Sequence, residues 1–214
     1  MKQKKKEIQP MDFLLAGKLT QKYGIPMAPM HAIRKEKDIM GIEKKIPFPW
    51  VMKAVGKKIL HKTDVGGIKL NLNNSHDTLM AFHTLKKIPG CEYVVAQPMR
   101  EGIEIIVGGK IDPQFGPTVL VGMGGIYTEV LKDSSVRIAP LQKEDAESMV
   151  KELKMYPILK GIRGQKKINF SDLTKIILGV SKLMQTGKIK ELDLNPVLAT
   201  HERVEGVDVR IIQE

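Results

Sequence analysis

Lys53 stands in the middle of an apolar run, Trp50-Val51-Met52-Lys53-Ala54-Val55, bounded by Pro49 and Gly56. An ammonium in a buried strand is costly without an anion beside it, so this placement points to anion binding. The polar stretch that follows, Gly56 to Gly67, carries His61 and ends on the adjacent glycines Gly66 and Gly67. Paired glycines let successive N–H groups converge on one concavity, which is how backbones cradle phosphate. A neutral imidazole in such a loop is a competent phosphoryl acceptor near neutral pH. The chemistry suggested is phosphate binding with phosphoryl transfer. The plainer alternative is a hairpin whose lysine snorkels to the surface.

A second group lies near the C-terminus. In Glu191-Leu192-Asp193-Leu194-Asn195 the side chains of a strand alternate, so Glu191, Asp193 and Asn195 share one face and the leucines the other. Asp208, flanked by Val207 and Val209, puts a carboxylate into an apolar pattern on a following strand. Carboxylate and amide oxygens converging from neighbouring strands suit Mg²⁺ when nucleotide phosphates complete its shell. Solvated edge-strand polarity is the alternative. A third group is Gln97-Pro98-Met99, a proline-terminated strand end whose free backbone groups could bind an adenine edge, with Glu104 nearby as an acceptor for ribose hydroxyls. His31, His76 and His201 fall in polar stretches, and His83 on a helix. There is no Cys/His cluster for zinc and no Ser-His-Asp grouping, and the lone Cys91 reads as a packing residue.

The pattern predicts the elements that must position these groups. A helix over 11–23 turns Leu14, Leu15 and Leu19 inward and ends at Gly24. Strands cover 50–55 and 68–72, and a helix over 76–87, capped by Ser75, buries Leu79, Phe82 and Leu85. Strands follow at 93–97 and 103–111, the latter paired with 118–121 through the turn 112–117. The apolar pattern resumes over Ile126–Leu131, after Gly122-Met123-Gly124-Gly125, and again over 136–139. A helix over 143–153 precedes the clearest one, 171–185, which is capped by Ser171 and has Leu173, Ile176, Ile177, Val180, Leu183 and Met184 on one face. A strand over 190–195 stops at Pro196, and a last hairpin pairs 197–199 with 207–211. Residues 31–45 give no firm pattern. Hairpins with intervening helices indicate an α+β fold, not a run of βαβ units.

The 214 residues allow one or two domains around a sizeable core, and 42% hydrophobic content is ordinary for a soluble protein. No apolar run reaches the ~20 residues of a membrane helix, and the start shows no signal-peptide pattern. With a single cysteine, a cytoplasmic setting is expected. The net charge of +11 rests on 29 Lys and only 6 Arg, and aromatic residues make up 5%. Base readout and stacking favour arginine and aromatics, so the charge reads as solvated surface with a bias toward small anions. Nonspecific nucleic-acid binding is the rival it leaves open.

The motifs ILHKTDVGG (59–67), DPQFGP (112–117), GMGGIYTEVLKD (122–133), RIAPL (137–141), YPILKGIRG (156–164) and ELDLNP (191–196) follow one another in the order of a known family. From Leu14 onward the chain resembles the ATP-grasp β subunit of ADP-forming acetyl-CoA synthetase, a relative of succinyl-CoA synthetase. Gly56-Lys57-Lys58 stands where that family commonly has Ser-Pro. The resemblance implies a single ATP-grasp unit with two subdomains, about 25–97 and 98–214, residues 1–24 packing on the second, and ATP or ADP held between antiparallel sheets. It implies that Lys53, Gly66 and Gly67 meet the phosphates, that Gln97, Pro98 and Met99 form the adenine hinge, and that Glu104 binds ribose. Asn195 and Asp208, with Asp193 as a third, match Mg²⁺ ligands. His61 matches a histidine that relays the phosphoryl group, Glu129 and Arg137 are candidates for positioning it, and Arg163 is equally a structural residue.

The implied reaction is acyl-CoA + ADP + phosphate ⇌ acid + CoA + ATP. It is run with a separate CoA-binding α subunit, expected as α2β2, because no GxGxxG opens a helix here and the length leaves no room for a CoA domain. No membrane or specific nucleic-acid partner is expected. A noncatalytic nucleotide-binding subunit is the remaining rival.

Overall fold

A computed structural model describes residues 10–59, 62–125 and 132–213. They form two compact units, Ala28–Arg100 on the one hand, and the residues up to Met27 together with those from Glu101 onward on the other.

The smaller unit is a four-stranded antiparallel sheet in the order β1 (His31–Ile33), β4 (Tyr93–Pro98), β2 (Trp50–Val55), β3 (Ile68–Leu72). Helices α2 (Asp38–Glu43) and α3 (Ser75–Lys86) cover one face. Alternation along β2 sends Trp50, Met52 and Ala54 into the core with Val94, Ala96, Phe82 and Leu85. Val51, Lys53 and Val55 therefore point the other way. The cap of α3 is Asn74, whose side chain accepts from the Asp77 N–H, one residue before the expected Ser75. β1 and α2 occupy the stretch without a firm sequence pattern. Each is short, and α2 is tied down by Asp38, which accepts from the Arg34 and Lys35 N–H groups.

The larger unit holds a six-stranded sheet, β10 (Arg210–Gln213), β8 (Ile189–Ala199), β5 (Ile103–Asp112), β6 (Gly116–Met123) and β7 (Ser134–Ile138) in that order, with β9 (Val204–Gly206) pairing β8. Helices α4 (Lys143–Lys151) and α6 (Phe170–Met184) cover one face, and the single turn α5 (Tyr156–Leu159) lies between them in sequence. All six apolar residues expected to face inward on α6 are buried, and its cap is Asn169, not Ser171. The β5–β6 turn closes as Asp112 accepts from the Gln114 and Phe115 N–H groups, which hold its carboxyl below the ordinary range.

Two further expectations fail for physical reasons. On α1 (Phe13–Lys22) the buried face is Phe13, Ala16, Gly17 and Thr20, while Leu15 is exposed and Leu14 and Leu19 are half-buried. The chain just after α1 packs so close to α6 that a Cβ on Gly179 would fall 2.6 Å from Ile25 and 2.9 Å from the Tyr23 carbonyl, so small residues set the fit here. The second failure is the last hairpin. β8 does not stop at Pro196 but runs on to Ala199, and 197–199 pair with Val204–Gly206, whereas β10 returns along the earlier half of β8. Proline offers no ladder N–H, and the β5–β8 register shifts opposite it, between Ile105 and Val107. Among the described residues no helix is long and apolar enough to cross a membrane.

Candidate functional site

The face of the large sheet opposite α4 and α6 carries a concavity of about 690 Å³, within the range of small-ligand pockets. Its floor is set by register. Asp193, Gly108, Leu120 and Val136 form one cross-strand row, and Glu191, Lys110 and Thr118 form the next. Gly108 keeps the floor low, since a Cβ there would sit 2.9 Å from the Leu192 carbonyl and 4.0 Å from Asp193 Oδ1. Glu191, Asp193 and Asn195 all line this space, with Lys110, Lys132 and Ser134 around them. The shared face read from the alternating sequence is the wall of a cavity.

Asp208 is not on a strand, contrary to expectation. It sits half-buried in the connection from β9 to β10, with its Oδ1 accepting from the Val209 N–H. Arg210 pairs with Asp193, and the Val207 N–H donates to Pro196 O at 3.1 Å. Together these bring Asp208 beside Asn195. Among the described residues no three His, Cys, Asp or Glu side chains gather as a metal cluster. A cation here would rest on two carboxylates and the Asn195 amide, an oxygen donor set that suits Mg²⁺ with phosphate oxygens completing its shell.

Glu104 rises from the same face of β5 as Ile106, Gly108 and Lys110. The Gly122–Gly125 segment turns directly over it. The Gly124 N–H donates to Glu104 O at 2.7 Å, and a Cβ on Gly125, whose φ is +63°, would lie 2.8 Å from Glu104 Oε2. Only glycine fits both the positive φ and this approach.

In the smaller unit Lys53 is 4% exposed, on the face of β2 opposite the helices and diagonal to Gln97 of β4. Gln97 is fully buried, and among the described residues neither its Oε1 nor its Nε2 has a hydrogen-bond partner. Two orphaned amide atoms cost about 1–3 kcal/mol each, and a ligand can relieve that cost. Pro98 ends β4 as expected, but the Met99 N–H donates to Pro49 O and is not free for a base. In the loop, the Gly66 N–H donates to Thr63 O and the Gly67 N–H to Lys62 O, at 3.1 and 2.7 Å. These amides are engaged within the loop, so cradling a phosphate requires the turn to open. His61 and Glu129 lie outside the described residues, as does the stretch Ile126–Leu131.

Arg137 does not face the cavity. On β7, Ser134 and Val136 line it, so Ser135 and Arg137 point to the helix side. There the guanidinium pairs with Glu152, just past α4, and donates to Ser135 Oγ and Val136 O. Hydrogen bonds from Ser135, then Ser148 and Arg137, hold the Glu152 carboxyl below its ordinary range. Sequence reasoning missed Lys110 and Lys132 as cavity residues; the register of β5 against β8 is the signal that finds Lys110, and the sequence does not display it. Arg163, with φ +52°, lies in the loop after α5 and does not line the cavity.

A family model described as an ATP-grasp domain matches residues 4–212. The chain is 39% identical over 217 residues to the β subunit of acetate–CoA ligase (ADP-forming) I of Pyrococcus furiosus, covering 97% of this chain and 94% of that one. It is 41% identical over 198 residues to acetate–CoA ligase (ADP-forming) I of Archaeoglobus fulgidus, covering 89% of this chain but only 29% of that relative. A solved structure of the dinucleotide-forming acetyl-coenzyme A synthetase 1 of Ca. Korarchaeum cryptofilum, in complex with coenzyme A and Ca-AMPCP, matches with a TM-score of 0.89 at 34% identity, over 96% of this chain and 94% of that one. Another structure of that enzyme holds coenzyme A and Mg-AMPPCP, its phosphohistidine segment pointing towards the nucleotide-binding site; it matches at 34% identity with a TM-score of 0.84, over 96% of this chain and 93% of that one.

Proposed function

The chain belongs to the ATP-grasp family, and from that premise we propose that it is the nucleotide-binding β subunit of an ADP-forming acetyl-CoA synthetase. The reaction is acyl-CoA + ADP + phosphate ⇌ carboxylic acid + CoA + ATP, and this chain performs the step that moves a phosphoryl group from a phosphohistidine to ADP. The observation that carries the reading is the oxygen donor set on the open face of the large sheet. Asp193 and Asn195 wall the cavity, Asp208 stands beside Asn195, and Glu104 rises from the same face under a glycine turn. The β-subunit relative and the nucleotide-bound neighbours support it.

Each part of the chain then has a task, with the phosphate loop in the first subdomain and the metal site in the second. Asp193, Asn195 and Asp208 would hold Mg²⁺, which when bound neutralises phosphate charge and orients the phosphates for in-line transfer. Glu104 accepts from the ribose hydroxyls. Gln97 satisfies its buried amide against the base, and the backbone beside Pro98 and Met99 borders it. Lys53 contributes a fixed positive charge to the phosphates, where low dielectric strengthens it. Gly66 and Gly67 release their internal hydrogen bonds to take phosphate oxygens. His61 takes the phosphoryl group on one imidazole nitrogen, loses it to the terminal phosphate oxygen of ADP, and returns neutral. Glu129 orients that imidazole, while Arg137 acts only from the far side of the sheet, through Ser135 and Glu152. A CoA-binding α subunit supplies the acyl-CoA chemistry and the incoming phosphoryl group.

The test is the complex with its α partner, carrying His61→Ala. Nucleotide affinity should persist while transfer between the partner's phosphohistidine and ADP falls by at least ~10³-fold. Wild-type label should be acid-labile and alkali-stable. Exchange at near-native rate in the variant would end the carrier role for His61.

A further inference from the structure

Arg210 opens β10 directly across the ladder from Asp193, so both side chains rise from the cavity face of the large sheet. Its Nη1 lies 3.5 Å from Oε1 of Glu191, the neighbouring cavity residue on that face of β8, and its Nε is buried with no hydrogen-bond partner among the described residues. Glu191 in turn faces Lys110 across the β5–β8 ladder. Two acids, Glu191 and Asp193, are thus interleaved with two cations, Arg210 and Lys110. A group meant only to capture a divalent cation has no use for a guanidinium this close.

Deepening the nucleotide reading, and resting on it, we propose that Arg210 makes this acidic group select a metal–nucleotide complex over the free metal. The guanidinium repels a bare dication approaching Asp193. It attracts phosphate oxygens, and its planar fork keeps donors to spare after Glu191 has taken one. Nucleotide phosphates entering with the metal therefore satisfy both signs of charge at once. Glu191 is the positioning partner that keeps the guanidinium on this face.

The consequence is a pair of effects with opposite signs, which loss of structure cannot produce. The full-length protein and its Arg210→Gln variant would be titrated with Mn²⁺ alone, followed by electron paramagnetic resonance, and with metal-free ADP by calorimetry. Arg210→Gln should bind Mn²⁺ alone about tenfold tighter and metal-free ADP about tenfold more weakly, and Arg210→Lys should stay within about threefold of wild type for both. If Arg210→Gln does not fold, Glu191→Gln gives the mirror test, with weaker Mn²⁺ and tighter metal-free ADP binding. Both affinities falling together, or neither moving, would overturn the assignment while leaving the nucleotide reading intact. Wild-type protein that binds no ADP under any metal condition would overturn the nucleotide reading, and this inference with it.

Discussion

The two units handle polar groups in opposite ways. In the large sheet Asp193 and Asn195 line an open cavity, and their place on β8 already turns them towards it. In the small unit the functional groups are shut in: Lys53 is 4% exposed, Gln97 is fully buried with an unsatisfied amide, and the glycine amides of the loop bond to their own turn. The large sheet offers a preformed donor set, whereas the small unit holds groups whose bonds must be exchanged when phosphate arrives. A preformed site loses ligand affinity when a donor is removed, with little effect on folding. A closed one couples ligand affinity to stability, because its polar groups carry a standing desolvation cost.

The largest expected effects test that contrast directly. Asp208→Ala and Asn195→Ala should each lower turnover of the assembled enzyme by roughly 10²–10³-fold and raise the Mg²⁺ requirement, with an unchanged melting temperature. Lys53→Met should lose turnover on the same scale, because it removes the positive charge that Lys53 brings to the phosphates. Turnover profiles and thermal melts on the three variants decide the matter. Normal activity of Asp208→Ala and Asn195→Ala at limiting Mg²⁺ would rule out the metal site.

A smaller effect sharpens the picture of the loop. Its base is pinned: a Cβ on Gly56 would fall 1.9 Å from the Gly90 carbonyl, and the Lys57 N–H donates to Glu92. By contrast, a Cβ on Gly66 would meet nothing within 4 Å. Gly56→Ala must shift backbone and should cost about 1–3 kcal/mol or more, read as a lower denaturant midpoint. Gly66→Ala meets only the penalty of its φ of +64°, about 1–2 kcal/mol, confined to the loop. Equal losses of global stability in the two would show that the start and the end of the loop are not mechanically distinct.

Much of this was legible from sequence because it depends on local periodicity. The buried stripe of α6, the β5–β6 hairpin and the common face of Glu191, Asp193 and Asn195 all follow from period 3.6 or 2. What the sequence concealed depends on long-range contact. Which face of α1 is buried, Phe13, Ala16, Gly17 and Thr20 and not the leucines, is set by tertiary packing. The placement of Asp208 depends on which half of β8 receives β10, and Pro196 at the end of an apparent strand pointed to the wrong half. The engaged amides of Gly66, Gly67 and Met99 are likewise invisible in composition, since glycine and a strand end mark backbone freedom but not its use.

The smallest expected effect concerns Arg137, whose place in a family motif suggests chemistry and whose place on β7 does not. Strand alternation is strict over Ser134-Ser135-Val136-Arg137, and with Ser134 and Val136 in the cavity wall the guanidinium is committed to the helix face. Its partners there are Glu152, Ser135 Oγ and Val136 O, which leave it bound within the protein. Both Arg137 and Glu152 are substantially exposed, at 38% and 43%, so the pair is screened by solvent and modest in strength. Arg137→Gln should therefore keep turnover within about threefold of wild type and move the melting temperature by no more than a few degrees. High salt should erase even that difference, since it screens an exposed pair while leaving a phosphate contact inside a site largely intact. A hundredfold loss of phosphoryl transfer with an unchanged melt would mean that the two faces of β7 exchange during turnover, and that the large sheet is no more preformed than the small one.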